Sequence, residues 1–316
     1  MEPKLVRWVL AHEPIDIFIK AAEKFTEVMD KLAPGQLKIE VMTLSEYADR
    51  YNNGQKITKH DLLQLMEDNL IEMSQTYSYV LGNKYAPDMH VVDMPFLFRD
   101  HDHAAKVFEG EIGTKLLNSY GGNSNLQGLA FTYSGGFRNL PLNKNIESLN
   151  ELAGTRVRVT ANPICEAIFE SIGATPVKFD IEDLADRMED GTVEGGESSW
   201  PRIYACRQNE VSSVIFDTEH NLLTTNIIAN KQWMQGLDVE LQEKIKKAAI
   251  EAARHERDIS VEDVERVGSL ARADGICVIK FSKEDQERFE KATESVYEKF
   301  ENYFTAGLIE SIRTLH

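Results

Sequence analysis

The sequence predicts an α/β protein of two lobes, and three observations carry that expectation. A strand–helix–strand pattern occupies residues 4–42, the same pattern restarts at residues 156–177, and a helical stretch far longer than one lobe needs runs from Leu241 to about Gly275. Alternation of strands with helices points to parallel sheets covered by helices, and its restart points to a second sheet.

The first unit opens on a β-branched and aromatic segment, Lys4 to Ala11, read as a strand. After Pro14, the residues Phe18, Ala21, Ala22, Phe25, Met29 and Leu32 recur at helical spacing. Pro34-Gly35 ends that helix and Leu37 to Met42 reads as the next strand. Asp61 to Asn69 reads as a helix and Ile71 to Ser74 as a strand. The apolar knot Pro95-Phe96-Leu97-Phe98 leads into a polar turn, then a helix from about His103 to Tyr120 and a strand from Leu126 to Tyr133.

Gly135-Gly136 is a flexible break and a crossing point between lobes. The second alternating unit then begins. Gly191 to Glu197 reads as a helix end followed by a further glycine-rich crossing, and Leu222 to Ala229 as a strand returning to the first lobe. Leu241, Ile245, Ala248, Ala249, Ala252, Ile259, Val264, Val267 and Leu270 keep one apolar face. A continuous helix of that extent is about 50 Å long at about 1.5 Å per residue, enough to brace two lobes. Ile276 to Ile279 reads as a short strand, and Ser282-Lys283-Glu284-Asp285 as the capping box of a last long helix. The expected division is 1–133 with 220–259 as lobe I, and 134–219 with 260–316 as lobe II.

Composition narrows function. The chain of 316 residues carries a net charge of −17, which disfavours nucleic acid and anionic membranes as partners. It leaves room for a small anion, because a few arginines dominate one site. No apolar run approaches the roughly 20 residues that span a bilayer. The N-terminus lacks a basic and apolar leader, as expected of a cytoplasmic protein or of a periplasmic one whose leader has been removed.

Cys165, Cys206 and Cys277 have no metal-ligand spacing. Buried free thiols are expected, although an oxidising compartment would also permit a Cys165–Cys206 bridge. His101 and His103 read as a solvated loop or helix cap. The nucleotide, zinc-protease and nucleophile-elbow motifs are missing, so neither a cofactor nor a metal nor a catalytic residue is expected.

One residue stands out chemically. Arg158 ends the short apolar strand in Thr155-Arg156-Val157-Arg158-Val159. Its planar fork of donors fits a carboxylate bidentately, and strand ends in α/β proteins face ligands. A surface ion pair is the plain alternative.

The motifs Asp93-Met94-Pro95-Phe96-Leu97-Phe98-Arg99-Asp100, Gly136-Phe137-Arg138, Leu152-Ala153-Gly154 with Val157-Arg158-Val159, Gly173-Ala174-Thr175-Pro176-Val177, Glu194-Gly195-Gly196-Glu197 and Leu222-Leu223-Thr224-Thr225 occur in that order. Together they resemble the substrate-binding proteins of tripartite ATP-independent periplasmic (TRAP) transporters, of the dicarboxylate-receptor type. The resemblance covers nearly the whole chain. It implies a periplasmic-binding-protein-like fold, with two α/β lobes, a hinge, a long lobe-spanning helix and a ligand cleft between the lobes.

It further implies a periplasmic receptor for a small organic acid and a membrane permease as partner. Arg158 becomes the ligand-carboxylate arginine, and Arg138 a second arginine lining the cleft or an ion-pair partner. The family's ligand-binding Asn is replaced here by Ser198, whose hydroxyl reaches less far. Trp200 supplies an aromatic wall or a core side chain. Gln75, Tyr77 and Tyr79 fall where pocket-lining side chains lie, whereas Phe96 reads as core.

Ala11-His12-Glu13 and Asn162-Pro163 are similar to ectoine-binding members, in which an acid at the Glu13 position faces the cationic ring of a zwitterion. A sulfonate or ectoine-like cargo, a solute sensor, and an enzyme using Glu13 or His12 as acid or base remain the alternatives.

Overall fold

The computed structural model describes residues 2–12 and 16–316. The chain folds into two compact units. The first comprises Met1–Ala86, Lys106–Tyr133 and Thr224–Ile259; the second comprises Pro87–Ala105, Ser134–Leu223 and Ser260–His316. Residues 87–105, expected in lobe I, therefore belong with the second unit. The reason is polar as well as apolar. Phe96 N donates to His220 O at 2.7 Å, Asn221 Nδ2 to the Asp93 carbonyl at 3.0 Å, and Tyr297 Oη to Pro95 O at 2.7 Å.

A five-stranded sheet runs in the order Leu37–Met42, Lys4–Leu10, Met73–Tyr77, Leu222–Asn230, Leu126–Phe137, and all but Leu222–Leu223 and Ser134–Phe137 of it lies in the first unit. Lys4–Leu10 pairs in parallel with both neighbours, as a strand–helix–strand connection requires, and Leu222–Asn230 runs antiparallel to Met73–Tyr77. Trp8, Phe18, Phe25 and Met29 are buried, and Trp8 meets the edge of Phe25 at 5.1 Å. The apolar stripe of helix Asp16–Leu32 thus covers the sheet.

The second unit holds a six-stranded sheet in the order Cys277–Lys280, Val214–Asp217, Leu140–Leu142, Gly195–Gly196, Arg156–Val159, Thr175–Lys178. Gly195–Gly196 is thus a strand inside this unit, and residues 134–223 all lie in it, so no crossing occurs at Gly191–Gly196. Gly195 packs so tightly that a Cβ there would sit 2.4 Å from Pro141 O.

Other expectations shift. The helix expected from His103 to Tyr120 is two helices, His101–Glu109 and Glu111–Ser119, broken at Gly110 in extended conformation. The strand expected to end at Tyr133 continues to Phe137. Gly135 and Gly136 adopt positive φ (94° and 76°) within it, and a Cβ on Gly135 would strike Pro201 at 2.3 Å. The strand expected at Ile71–Ser74 is Met73–Tyr77.

His103 is buried rather than solvated, its Nε2 2.9 Å from Ile312 O. The long helix runs unbroken from Val239 to Ala273, with its residues divided between the units after Ile259. All three cysteines are free; Cys165 and Cys206 are buried and Cys277 is exposed. Among the described residues, no helix is long and apolar enough to cross a membrane.

Candidate functional site

In the second unit, Arg158 sits on the strand Arg156–Val159, opposite Val177 on one side and Gly196 on the other. A Cβ at Gly196 would lie 2.8 Å from Arg158 Cβ, so the Gly-Gly strand is what lets the arginine strand approach. Arg158 is 5% exposed. Its Nε donates to Phe179 O at 2.9 Å and its Nη1 to Glu197 O at 3.4 Å. Two main-chain carbonyls therefore fix the plane of the guanidinium.

Arg138 is buried more deeply and has a different set of contacts. Its Nη1 lies 3.1 Å from Glu197 Oε1 and donates to Thr160 Oγ1 at 3.2 Å; its Nη2 lies 3.7 Å from Asp93 Oδ1. Glu197 Oε1 accepts from Thr160 N at 2.6 Å and from the Thr160 hydroxyl, and its Oε2 is 3.8 Å from His220 Nε2.

Burial opposes ionisation of Glu197, yet Arg138, His220 and Arg158 together hold it well below the usual carboxylate range. Asp93 goes the other way: burial pushes it up to about 7, with Arg138 opposing and Glu197 reinforcing the rise. Burial lowers His220 despite Glu197 beside it, and burial raises the Cys165 thiol well above its ordinary value. A buried cation with one firmly ionised carboxylate and one that protonates near neutrality leaves the cluster close to charge-balanced.

The other expected residues separate into groups. Asn162 is fully buried: its Oδ1 caps the helix Pro163–Ser171 through Ile164 N at 2.9 Å, and its Nδ2 donates to Asp93 Oδ2 at 2.8 Å. Ser198 is 1% exposed and bridges Asn139. Trp200 lies in the core with Ile203, Ile215, Val267, Ala271 and Ile276.

Gln75 and Tyr77 belong to the first unit. Gln75 Nε2 donates to Thr225 Oγ1 at 2.8 Å and to both oxygens of Glu256 at 2.9 and 3.0 Å. Tyr77 meets the edge of His12 at 4.5 Å and stacks on Tyr79 at 5.7 Å. Glu13 lies outside the described residues. Phe96 packs edge-on against Phe289 at 5.5 Å.

Sequence reasoning missed the partners of Arg138. Asp93 and Glu197 stand inside quoted motifs, but nothing in their spacing links them to each other or to His220. It also missed the Glu256 cluster, since a single Glu on a long charged helix carries no local sign of burial.

Two compact α/β units, each with a sheet of its own, define the fold as a two-unit α/β protein. The chain belongs to the bacterial extracellular solute-binding protein family 7, whose model matches residues 10–303. It is similar to the C4-dicarboxylate-binding periplasmic protein DctP of Rhodobacter capsulatus, at 23% identity over 93% of this chain and 85% of that protein. It is also similar to the 2,3-diketo-L-gulonate-binding periplasmic protein YiaO of Escherichia coli, at 26% identity over 82% of this chain and 76% of that protein.

Among solved structures, a TRAP periplasmic solute-binding protein of Pseudomonas putida with bound D-glucuronate matches with a TM-score of 0.86 at 23% identity, covering 99% of this chain and 97% of that one. One from Shewanella oneidensis with bound succinate matches with a TM-score of 0.85 at 22% identity, covering 98% of each chain. At these identities the structural matches establish the fold.

Proposed function

We propose that this chain is the receptor of a TRAP transporter, which captures a small organic acid by its carboxylate on Arg158 and delivers it to a membrane permease without transforming it. The observation that carries this reading is the anchoring of Arg158. Its Nε and Nη1 donate to the carbonyls of Phe179 and Glu197, contacts that orient the fork without contributing charge. Arg138 lies against the carboxylates of Asp93 and Glu197, which supports a structural role for it.

Ser198 belongs to the binding set in this reading, and Trp200 and Asn162 support it from the core and the helix cap. The relatives' cargoes, C4-dicarboxylates and a diketo sugar acid by name and a glucuronate and a succinate by their bound ligands, support a carboxylate as the common feature. A periplasmic location follows from the same reading.

A thermal-shift screen of the protein against organic acids, sulfonates, sugar acids and ectoine tests it. A ligand of the native state at a hundredfold excess over Kd adds about 2.7 kcal/mol of stability. The expected result is a rise in unfolding temperature with a carboxylate, and recovery of that acid unchanged after incubation. A shift only with sulfonates or ectoine, or conversion of the acid, contradicts the reading.

A further inference from the structure

The helix Lys283–Phe300 turns one of its faces to an open groove in the second unit. The groove encloses about 870 Å³ and is also lined by the segment 95–99. Tyr297 Oη donates to Pro95 O at 2.7 Å and ties the helix to that segment. Phe96, Phe137 and Tyr297 line the groove and stay partly exposed. A second cavity of about 420 Å³ shares Tyr297 and Glu298 with it and adds the apolar Phe304, Leu308 and Ile309.

The charges on this groove are unbalanced. Glu219, Glu287, Glu290, Glu294 and Glu298 line it, against Arg99, Lys291 and Arg313. Two of those cations are turned to the chain's own groups. Arg99 donates from Nη1 to Arg313 O at 3.0 Å and from Nη2 to Leu315 O at 2.7 Å, and the Arg313 guanidinium lies 4.6 Å from the centre of the Tyr297 ring. Glu290, Glu294 and Glu298 follow one another at four-residue spacing, which sets like charges side by side on the helix and destabilises it. Elsewhere the same helix uses that spacing for opposite charges: Lys283 faces Glu287 at 3.7 Å, and Arg288 pairs with Glu284. Glu290, Glu294 and Glu298 have no ion-pair partner among the described residues. Glu219 is held at φ 47°, in the left-handed region where a side chain of its size is strained.

This lining selects its occupant. An organic acid would be repelled, and so would a second copy of a chain with net charge −17. A single small cation would leave the aromatic lining uncovered. Lys and Arg side chains match both features, with their heads on the carboxylates and their stems and guanidinium planes on the rings. From Glu287 to Glu298 the helix rises about 16 Å at about 1.5 Å per residue, the length of about five residues of extended chain or about three helical turns.

We propose that this groove is a docking site for a basic peptide segment of a partner protein, held by Glu290, Glu294 and Glu298 and laid on Phe96, Phe137 and Tyr297. The site is separate from Arg158, whose guanidinium is anchored on the carbonyls of Phe179 and Glu197.

Fluorescence anisotropy with labelled synthetic peptides tests it. The probes are a short peptide alternating Arg and Trp, the same peptide with Glu in place of Arg, and spermine as a competitor. They are titrated on the wild type, on the groove triple Glu290→Gln, Glu294→Gln, Glu298→Gln, and on a control triple Glu147→Gln, Glu189→Gln, Glu210→Gln. The control removes the same charge from exposed positions of the same unit outside the groove. The wild type is expected to bind the basic peptide and not the acidic one, with affinity falling as salt rises. The groove triple is expected to weaken binding by about tenfold or more, and the control triple by less than about twofold. The three groove glutamates are exposed and repel one another, so the groove triple is expected to fold with an unfolding temperature no lower than the wild type. Should it not fold, Glu294→Lys against Glu189→Lys decides by the same comparison.

Absence of binding to the basic peptide, or equal weakening by groove and control variants, overturns the docking site. Spermine displacing the peptide at equal concentration marks a site for a small cation and overturns it as well.

Discussion

Arg138 Nη1 lies 3.1 Å from Glu197 Oε1, and neither side chain is more than 1% exposed. Removing one partner of such a pair leaves a buried charge uncompensated, at a cost of about 3–5 kcal/mol. Arg138→Met is expected to destabilise the protein by about that amount in urea titration. Adding Glu197→Leu is expected to recover part of the loss, because the orphaned carboxylate is gone. A single variant within about 1 kcal/mol of the wild type would contradict the organising role given to this pair.

Glu256 predicts a stability loss as pH rises from about 4.5 to about 8. Burial pushes its carboxyl up to about 8, against the hydrogen bonds of Gln75 and Thr132 and the charge of Arg257, which pull it down. The Thr132 hydroxyl donates to Glu256 Oε2 at 2.7 Å. With a folded pKa above the ordinary 4.5, the native state holds the proton longer than the unfolded chain. Stability from this group is therefore full below pH 4.5 and lost as pH rises through about 8. Denaturant midpoints of wild type and Glu256→Gln from pH 5 to 9 are expected to diverge, the variant gaining at the alkaline end. Parallel profiles would mean that Glu256 ionises normally.

His90 predicts the opposite slope in acid. Its ring is fully buried, neither nitrogen has a hydrogen-bond partner among the described residues, and burial lowers its pKa to about 4. The unfolded chain takes up the proton first, so stability present above pH 6.5 is lost as pH falls towards 4. His90→Phe is expected to flatten the fall between pH 6.5 and 4, measured as the difference in midpoint from the wild type. An equal fall in both proteins would assign the acid sensitivity to other groups.

How much of this was legible in the sequence differs by element. The helix Val239–Ala273 was plain, because one apolar face persists through it and Gly275 follows its end. The strands Leu140–Leu142, Val214–Asp217 and Gly195–Gly196 were not, since segments this short lack a countable period and their burial depends on the whole sheet. The helix Leu44–Tyr51 was overlooked although Thr43 and Glu46 spell out its capping box.

At the site, Arg158 was legible from its chemistry and its place at a strand end, whereas the glycines beside it read as a crossing rather than as the neighbouring strand. The pairing of Arg138 with Asp93 and Glu197 was not legible, because those residues come from separate segments that only the folded unit brings together.

The central claim is that Arg158 holds the carboxylate of the cargo, and direct titration tests it. The acid giving the largest thermal shift is titrated calorimetrically into wild type and Arg158→Ala, with circular dichroism confirming that both are folded. Loss of a desolvated charge partner at about 3–5 kcal/mol corresponds to a Kd weakened by about two to four orders of magnitude. That result is predicted. A folded Arg158→Ala that binds the acid with wild-type affinity would contradict the account.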